Sequence, residues 1–280
     1  MKTISNTEFE GERPLYCEKG LRIENVTIHA GESALKETED IEAVRCRFEG
    51  KYPFWECNGF KVEDCVFTEG ARAALWYSRH LQMRDTLVEA PKMFREMSHL
   101  RLERVRIPHA LETLWHCSDV EIEDVEAQQG DYIFMHSKDL RIHNFRLQGN
   151  YSFQYCRNVE ISGSILQTKD AFWETENVTV RDSVINGEYL GWYSKGLHLI
   201  NCRIGGTQPL CYARDLVLEN CTFEPDADLA FEYSDVQADV RSRITSVKNP
   251  RSGRILSDGY GEIILDDNRK APADCQILTR

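Results

Sequence analysis

The stretch Asp139–Arg157, DLRIHNFRLQGNYSFQYCR, specifies the architecture because its pattern returns every 19 to 21 residues along most of the chain. Several restarts are an Asp or Asn followed by alternating apolar residues, as in Asp40-Ile41-Glu42-Ala43, Asp119-Val120-Glu121-Ile122, Asn177-Val178-Thr179-Val180 and Asp215-Leu216-Val217-Leu218. A fixed period of this length is typical of a solenoid, in which each unit buries its apolar face only against its neighbours. Side chains one period apart are therefore expected to lie next to each other in space.

Three short strands with tight corners are expected in each unit. Apolar and polar residues alternate in 139–143 and again in 145–147, and a third short segment, 151–156, leads to the next restart. The pattern predicts an all-β fold, a single-stranded right-handed parallel β-helix of about twelve coils that stack at ~4.8 Å per coil.

No linker rich in Pro, Gly or Ser interrupts the repeat, so the sequence predicts one domain over residues 1–280. Residues 1–19 are expected to form an N-terminal cap, and residues 20–234 the regular coils. Residues 235–280 are expected to form a decaying last coil and a C-terminal cap with its own strand, Gly261–Leu265. Caps are expected because open strand edges promote aggregation.

A quadrilateral pentapeptide-repeat helix is the closest alternative fold. Residues 139–147 and 215–223 fit its five-residue rhythm. Trp and Phe residues break the rhythm in the second half of each unit, where that fold needs small side chains.

Composition and charge argue against nucleic-acid binding and against membrane association. The net charge is −12, but Lys and Arg are interspersed with Asp and Glu along every coil, which disfavours both nucleic-acid binding by a basic stripe and an acidic nucleic-acid mimic. The N-terminus lacks the shape of a signal peptide, and no apolar stretch reaches the length of a membrane span. We therefore expect no nucleic-acid partner and no membrane association.

Seven of the ten cysteines recur in two fixed slots of the repeat: Cys46, Cys65, Cys202 and Cys221 in one, and Cys57, Cys117 and Cys156 in the other. This placement indicates small thiols buried in the core rather than disulfides. No CxxC-like or converging ligand pattern is present, so neither a metal nor a cofactor is expected. The predicted location is the reducing cytoplasm.

A column of Glu, Tyr and His marks the position three residues before each restart. Its members are Glu37, Glu56, Tyr77, Glu96, His116, His136, Tyr155, Glu174, Tyr193, Tyr212 and Glu232. The preceding position holds all five tryptophans of the chain. Leu or Phe stands before this pair and mostly small residues stand after it, so a bend is expected to turn both columns outward.

This aromatic and polar face favours an oligosaccharide or glycoside ligand, because aromatic rings stack on sugars and carboxylates or imidazoles bind hydroxyls and transfer protons. The predicted catalytic residues are Glu96 and His116 as the proton-transfer pair, with His136 third. The predicted substrate-binding residues are Trp55, Glu56, Trp76, Tyr77, Arg95, Trp115, Tyr155, Trp173, Glu174, Trp192 and Tyr193.

Three interpretations of this face stay open: a glycoside hydrolase-like enzyme, a non-enzymatic rod that binds carbohydrate or protein, and a hydrogen-bonded ladder that only stabilises the coils. The sequence does not decide the oligomeric state.

The sequence lacks the catalytic motifs of polygalacturonases and the calcium-binding aspartates of pectate lyases.

Four segments carry a resemblance to a known family: Pro53-Phe54-Trp55-Glu56-Cys57, Ala74-Leu75-Trp76-Tyr77-Ser78, Thr113-Leu114-Trp115-His116-Cys117 and Val247-Lys248-Asn249-Pro250. The chain resembles a bacterial domain-of-unknown-function family, number 3737, over nearly its whole length. The resemblance implies a right-handed β-helix of the pectin-lyase-like type. Members are sometimes labelled sugar hydrolases by analogy of fold, and the resemblance implies no catalytic residue.

Overall fold

The computed structural model describes residues 1–73 and 75–280, and the chain is an all-β parallel solenoid of about 15 turns. The predicted fold class is confirmed. The number of turns exceeds the expected twelve or so because both ends continue the parallel pairing. Strand Lys2–Glu12 pairs in parallel with Lys19–Glu32, although residues 1–19 were expected to be a cap.

The chain divides into two compact units, Met1–Arg146 and Leu147–Arg280. The strands of the first unit are β1 (Lys2–Glu12), β2 (Lys19–Glu32), β3 (Glu39–Val44), β4 (Arg47–Phe48), β5 (Asn58–Glu63), β6 (Val66–Phe67), β7 (Arg79–Arg84), β8 (Leu87–Val88), β9 (Ser98–Glu103), β10 (Arg106–Ile107), β11 (Ser118–Glu123), β12 (Glu126–Ala127) and β13 (Lys138–His143). A 3-10 turn, Glu69–Ala71, follows β6.

Strand β14 (Arg146–Gln148) begins at the end of the first unit. The strands of the second unit are β15 (Arg157–Ser162), β16 (Ile165–Gln167), β17 (Glu176–Arg181), β18 (Val184–Asn186), β19 (Lys195–Ile200), β20 (Arg203–Gly205), β21 (Leu216–Phe223), β22 (Asp235–Val240), β23 (Arg243–Lys248), β24 (Ser252–Ser257), β25 (Gly259–Ile264) and β26 (Gln276–Thr279).

In the first unit, a six-residue strand and a two-residue strand alternate from β3 onward, and each pairs with its equivalent in the next turn. Leu81 lies opposite Leu100, and Leu100 lies opposite Val120, so apolar side chains form continuous buried columns. The short strands build a second column, in which the rings of Phe48 and Phe67 stack with centroids 4.7 Å apart. Each fully buried Leu or Phe stabilises the fold by ~1.5–3 kcal/mol.

The Asp or Asn found at several restarts is explained by the backbone conformation there. Asp40, Asp119 and Asp139 adopt the left-handed region with φ between 52° and 57°, and Gly59 does so at the same place in its turn with φ 69°. Asp, Asn and Gly occupy this region at the lowest cost. The residue that marks the repeat in the sequence therefore marks a corner of the solenoid.

The second unit has the same construction. Val159, Val178 and Leu197 lie in register on β15, β17 and β19 and are buried. The expected strand of the tail is β25, which pairs in parallel with β23, while β24 pairs with β22 and β26. No helix within the described ranges 1–73 and 75–280 is long and apolar enough to cross a membrane.

Candidate functional site

The corner before each long strand of the first unit carries the predicted column. Glu56, Tyr77, Glu96, His116 and His136 all have left-handed backbones, with φ between 53° and 59°. The residue two places earlier and the residue that follows are buried in each of these turns, whereas the five column side chains are exposed. The bend expected from the burial pattern is therefore present.

Backbone hydrogen bonds hold the column in register from turn to turn. The amide nitrogen of Glu96 donates to the carbonyl oxygen of Trp115 at 2.9 Å, and that of His116 donates to Met135 at 3.0 Å. Equivalent side chains consequently lie one strand spacing apart, ~4.8 Å. The three predicted catalytic residues, Glu96, His116 and His136, occupy three successive turns on one exposed edge.

His116 and His136 form a stacked pair. Their ring centroids are 5.0 Å apart and their planes differ by 7°. Partial desolvation of its ring and the like charge of His116 lower the pKa of His136 from its ordinary value. The uncharged form of His136, which accepts a proton, is thereby favoured near neutral pH.

The tryptophans of the first unit lie half-buried beside the column, and two of them stack on each other. The rings of Trp55 and Trp76 are 5.4 Å apart at an angle of 29°. Their indole N–H groups also serve the fold, because Nε1 of Trp76 donates to the carbonyl of Lys92 at 2.9 Å and Nε1 of Trp115 donates to that of Tyr132 at 2.5 Å.

Arg95 completes this stack. Its guanidinium carbon lies 4.6 Å from the ring centre of Trp76 and 4.3 Å from that of Trp115, and its Nη2 donates to Glu112 at 3.3 Å. The side chain is 19% exposed, and its Nε has no hydrogen-bond partner among the described residues. The order of the stack is therefore Trp55, Trp76, Arg95, Trp115.

The stack changes what the tryptophans offer to a ligand. Trp55 covers one face of Trp76 and Arg95 covers the other. A sugar ring stacks on the face of an aromatic ring, and Trp76 presents its edge to solvent instead. Tyr77, which is 51% exposed, is the accessible aromatic side chain in this part of the column.

The second unit carries the other five predicted binding residues, which are described by themselves. Trp173 and Trp192 stack at 5.6 Å and 17°, and Tyr193 is exposed beside them. The ring centroids of Tyr155 and Trp173 are 6.3 Å apart, and Glu174 is exposed at the corner. As in the first unit, tryptophans of successive turns stack beside the corner, but here the two indoles stack directly on each other, and Nε1 of Trp192 has no hydrogen-bond partner among the described residues.

The last member of the predicted column is wrong by one residue. Glu232 is buried, and the left-handed corner falls on Tyr233, whose ring lies 5.3 Å from that of Tyr212. Glu232 instead occupies the position that the tryptophans hold in other turns. Its carbonyl oxygen accepts the hydrogen bond from the amide of Tyr212, just as that of Trp115 accepts the one from Glu96. The small buried residue Ser234 follows the true corner residue, as Ser78 and Ser137 do in earlier turns.

Sequence reasoning missed a solvent-open depression on another face of the first unit. It has a volume of about 230 Å³ and lies on the outward side of β5, β7 and β9, where Lys61, Gln82 and Arg101 line it. The signal that locates it is the charge sequence along neighbouring strands, which becomes visible only when the strand register is known. Within residues 1–73 and 75–280, no group of three His, Cys, Asp or Glu side chains is placed to hold a metal ion.

Comparison with known proteins gives a family and weak structural likenesses. The sequence profile described as "Protein of unknown function (DUF3737)" matches residues 2–278. No curated protein matches the chain.

Three solved structures illustrate the structural likenesses. PfbA, a surface adhesin of Streptococcus pneumoniae, is 8% identical over 99% of this chain and 84% of its own, with a TM-score of 0.43. HetL, a pentapeptide repeat protein of the cyanobacterium Nostoc, is 12% identical over 76% of this chain and 86% of its own, with a TM-score of 0.28. The periplasmic alginate epimerase AlgG is 9% identical over 99% of this chain and 74% of its own, also with a TM-score of 0.28.

Proposed function

The chain belongs to the DUF3737 family, and we propose that it binds an extended, largely neutral oligosaccharide along the exposed corner of its first unit. The observation that carries this proposal is the regular spacing of the exposed Glu, Tyr and His side chains, one per turn at ~4.8 Å. A hexose ring has a comparable length, so a saccharide that follows the stack of turns meets one polar side chain per sugar.

The chemistry of the column suits hydroxyl groups. Glu96 accepts hydrogen bonds, while Tyr77 and His116 donate or accept them. Because the faces of Trp76 are covered, affinity is expected to come from these hydrogen bonds and from the ring of Tyr77. The left-handed corners hold each side chain on a hydrogen-bonded backbone, which limits the entropy lost on binding.

Hydrolysis of the bound saccharide is the second candidate, and one specific observation favours it. Partial desolvation and the stacked His116 ring lower the pKa of His136, which favours the uncharged form that a general base requires. Glu96 and His116 would then act as the proton-transfer pair in the neighbouring turns.

The test is a thermal-shift screen against neutral oligosaccharides, followed by calorimetric titration of the best ligand. Tyr77→Ala, Glu96→Gln and His116→Ala are each expected to weaken binding about tenfold, the value of one lost hydrogen bond or ring contact. Glu123→Gln and His143→Ala change the same residue types on the strands and serve as matched controls. Equal binding in both sets of variants would exclude the corner as the site.

The two candidates separate in an assay for new reducing ends. Turnover by the wild-type protein that disappears in Glu96→Gln supports hydrolysis, whereas turnover that survives in this variant removes Glu96 from the reaction. If no saccharide binds and a protein partner is captured through Tyr77, the exposed corner is a protein-binding surface, and both candidates are wrong. We place the protein in the cytoplasm, since the buried thiols of Cys57 and Cys117 suit a reducing compartment.

A further inference from the structure

A polar row on the outward side of the short strands in the second unit is interrupted by a glycine. Gln167 of β16 lies in register with Asn186 of β18, and Asn186 lies in register with Gly205 of β20. The amide of Glu224 donates to the carbonyl of Ile204 at 2.8 Å, which places Glu224 beside Gly205 in the next turn. Gly205 therefore leaves an opening in a row whose other members carry polar side chains.

Two side-chain oxygens approach this opening. A β-carbon added to Gly205 would lie 2.9 Å from Oδ1 of Asn186 and 3.2 Å from Oδ1 of Asp226. Carboxylate and amide oxygens accept hydrogen bonds and do not donate them. Among the residues that the structure describes, none donates a hydrogen bond to either side chain, and Asp226 has no ion-pair partner. Two acceptors that face the same point are satisfied together by a single group with several N–H donors.

The opening is part of a solvent-open depression with a volume of about 340 Å³. Arg203 supplies a cation to its lining, but Nε of Arg203 lies 2.8 Å from Oε1 of Glu224, so these two charges neutralise each other. The negative charge of Asp226 is left unpaired. Val184 and Pro225 add an apolar part to the wall. The depression therefore combines a net negative charge with an apolar surface.

The loop that carries Asp226 is held in place by hydrogen bonds on both sides of this residue. The amide of Ala227 donates to the carbonyl of Glu224 at 3.0 Å. Oγ1 of Thr245 donates to the carbonyl of Pro225 at 2.8 Å. The carboxylate is consequently presented by an ordered loop, which limits the entropy that binding would cost.

We propose that this depression binds the primary ammonium group of a small aliphatic amine. The ammonium would donate one N–H to Asp226 and another to Asn186, and its carbon chain would lie against Val184 and Pro225. An ammonium has three donors and a positive charge, whereas a hydroxyl has one donor and no charge. The volume lies near the lower end of the ~300–1,000 Å³ of small-molecule pockets, so a chain of a few carbons fits. This site does not depend on saccharide binding at the corner of the first unit.

The test is a titration of the whole chain with n-butylammonium at neutral pH and constant ionic strength, followed through the backbone amide signals in NMR spectra. The wild-type protein is expected to bind with a Kd of about 1–10 mM, as an exposed carboxylate allows, and to show its largest shifts around Gly205. Two further probes separate the causes. 1-Butanol lacks the charge, and butyltrimethylammonium carries the charge without N–H donors, so both are expected to bind at least tenfold more weakly.

Two variants test the oxygens and the opening. Asp226→Asn keeps the shape of the side chain but removes its charge, and is expected to weaken n-butylammonium binding about tenfold without changing the Tm of the free protein. Gly205→Ala places a methyl group at the point that both oxygens face, and is expected to abolish binding. The fold should tolerate this alanine, because the nearest atoms belong to the ends of side chains.

Asp215→Asn is the matched control, because it removes the same charge at another exposed position of the second unit. It is expected to bind n-butylammonium as the wild type does. The proposal is overturned if n-butylammonium causes no saturable shifts around Gly205, or if 1-butanol or butyltrimethylammonium binds equally well. Undiminished binding by Asp226→Asn would overturn it as well.

Discussion

The guanidinium carbon of Arg95 lies 4.3 Å from the ring centre of Trp115. A second ring, that of Trp76, lies 4.6 Å away on the preceding turn, so one cation fills a break in a row of aromatic side chains. Cation–π contacts of this kind contribute ~0.5–2 kcal/mol each, more when the cation is shielded from water. Arg95 is therefore expected to stabilise the first unit.

Arg95→Ala is predicted to lower the free energy of unfolding by about 2–4 kcal/mol, since it removes both ring contacts, opens a gap between the indoles and ends the bond to Glu112. Arg95→Lys keeps the charge but loses the planar group, and is predicted to lose about half as much. Urea unfolding measures both. Arg106→Ala, an exposed arginine on β10, is the control and should stay within ~0.5 kcal/mol of the wild type.

Most of the fold could be predicted from the repeat, because two features of the repeat follow directly from the backbone conformation and from burial. The Asp or Asn at the restart marks a left-handed corner, and apolar columns such as Leu81, Leu100 and Val120 mark the core. Glu232 shows the limit of this reasoning. Counting back from the restart at Asp235 selects Glu232, whereas the small residue Ser234 correctly selects Tyr233. The small residue that must be buried after the corner therefore locates the corner more reliably than the distance to the next restart does.

The site was less predictable, because its chemistry depends on side-chain orientation. The sequence places Trp76 and Arg95 in one column, but only the structure shows that the guanidinium covers the indole face. The depression at Gln82 could not be located from the sequence, because finding it requires the strand register. Its lining residues Lys61, Gln82 and Arg101 are in register although they are 21 and 19 residues apart in sequence. Because the repeat length varies, counting a fixed number of residues does not identify which side chains are neighbours on adjacent strands.

The stacked histidines predict a specific order of titration. The pKa of His136 is lowered by partial desolvation and by His116, whereas hydrogen bonds to Glu8 and Glu49 raise the pKa of His29. In NMR titrations of the imidazole protons, His136 should titrate below the ordinary value of ~6.5 and His29 above it. His116→Ala should raise the pKa of His136 towards that value, because it removes the like charge. An unchanged His136 titration in this variant would leave partial desolvation as its only cause.

His136 and His29 change the free energy of unfolding with pH in opposite directions. The unfolded state binds a proton more readily than folded His136 does, so this residue lowers stability as pH falls through ~6.5. Folded His29 binds a proton more tightly than the unfolded chain, so its contribution is present below ~6.5 and is lost as pH rises through its raised pKa. Urea unfolding between pH 5 and 8 should show a smaller acid loss in His136→Gln and a smaller acid gain in His29→Gln.

Asp170 in the second unit predicts a stabilising substitution. Its side chain is 2% exposed, its Oδ1 has no hydrogen-bond partner among the described residues, and burial raises its pKa to about 6. Because the folded pKa lies above that of the unfolded chain, stability is lost as pH rises from ~4 through about 6. Asp170→Asn removes this loss and should raise the free energy of unfolding by ~1–3 kcal/mol at pH 8.

The same substitution should change little at pH 4, where Asp170 of the folded protein is protonated. Urea unfolding at both pH values distinguishes this cause from a general packing effect. Asp226→Asn, at an exposed position, should be neutral at either pH. An equal gain from Asp170→Asn at pH 4 and pH 8 would mean that the buried charge is not its source.

The buried thiols predict a sharp contrast in reactivity. Cys117 is enclosed in the core, its thiol donates to the carbonyl of Phe94 at 3.0 Å, and burial raises its pKa to about 12. Cys17 is exposed. Since the thiolate is the reactive form, iodoacetamide at pH 8 should modify Cys17 within minutes and leave Cys117 unmodified in the folded protein, as peptide mapping by mass spectrometry would show. In urea both should react, and Cys17→Ser should remove only the fast modification. If Cys117 reacts as fast as Cys17 without denaturant, the first unit opens locally at this turn, and the rigid corner on which His116 and Glu96 are placed is lost with it.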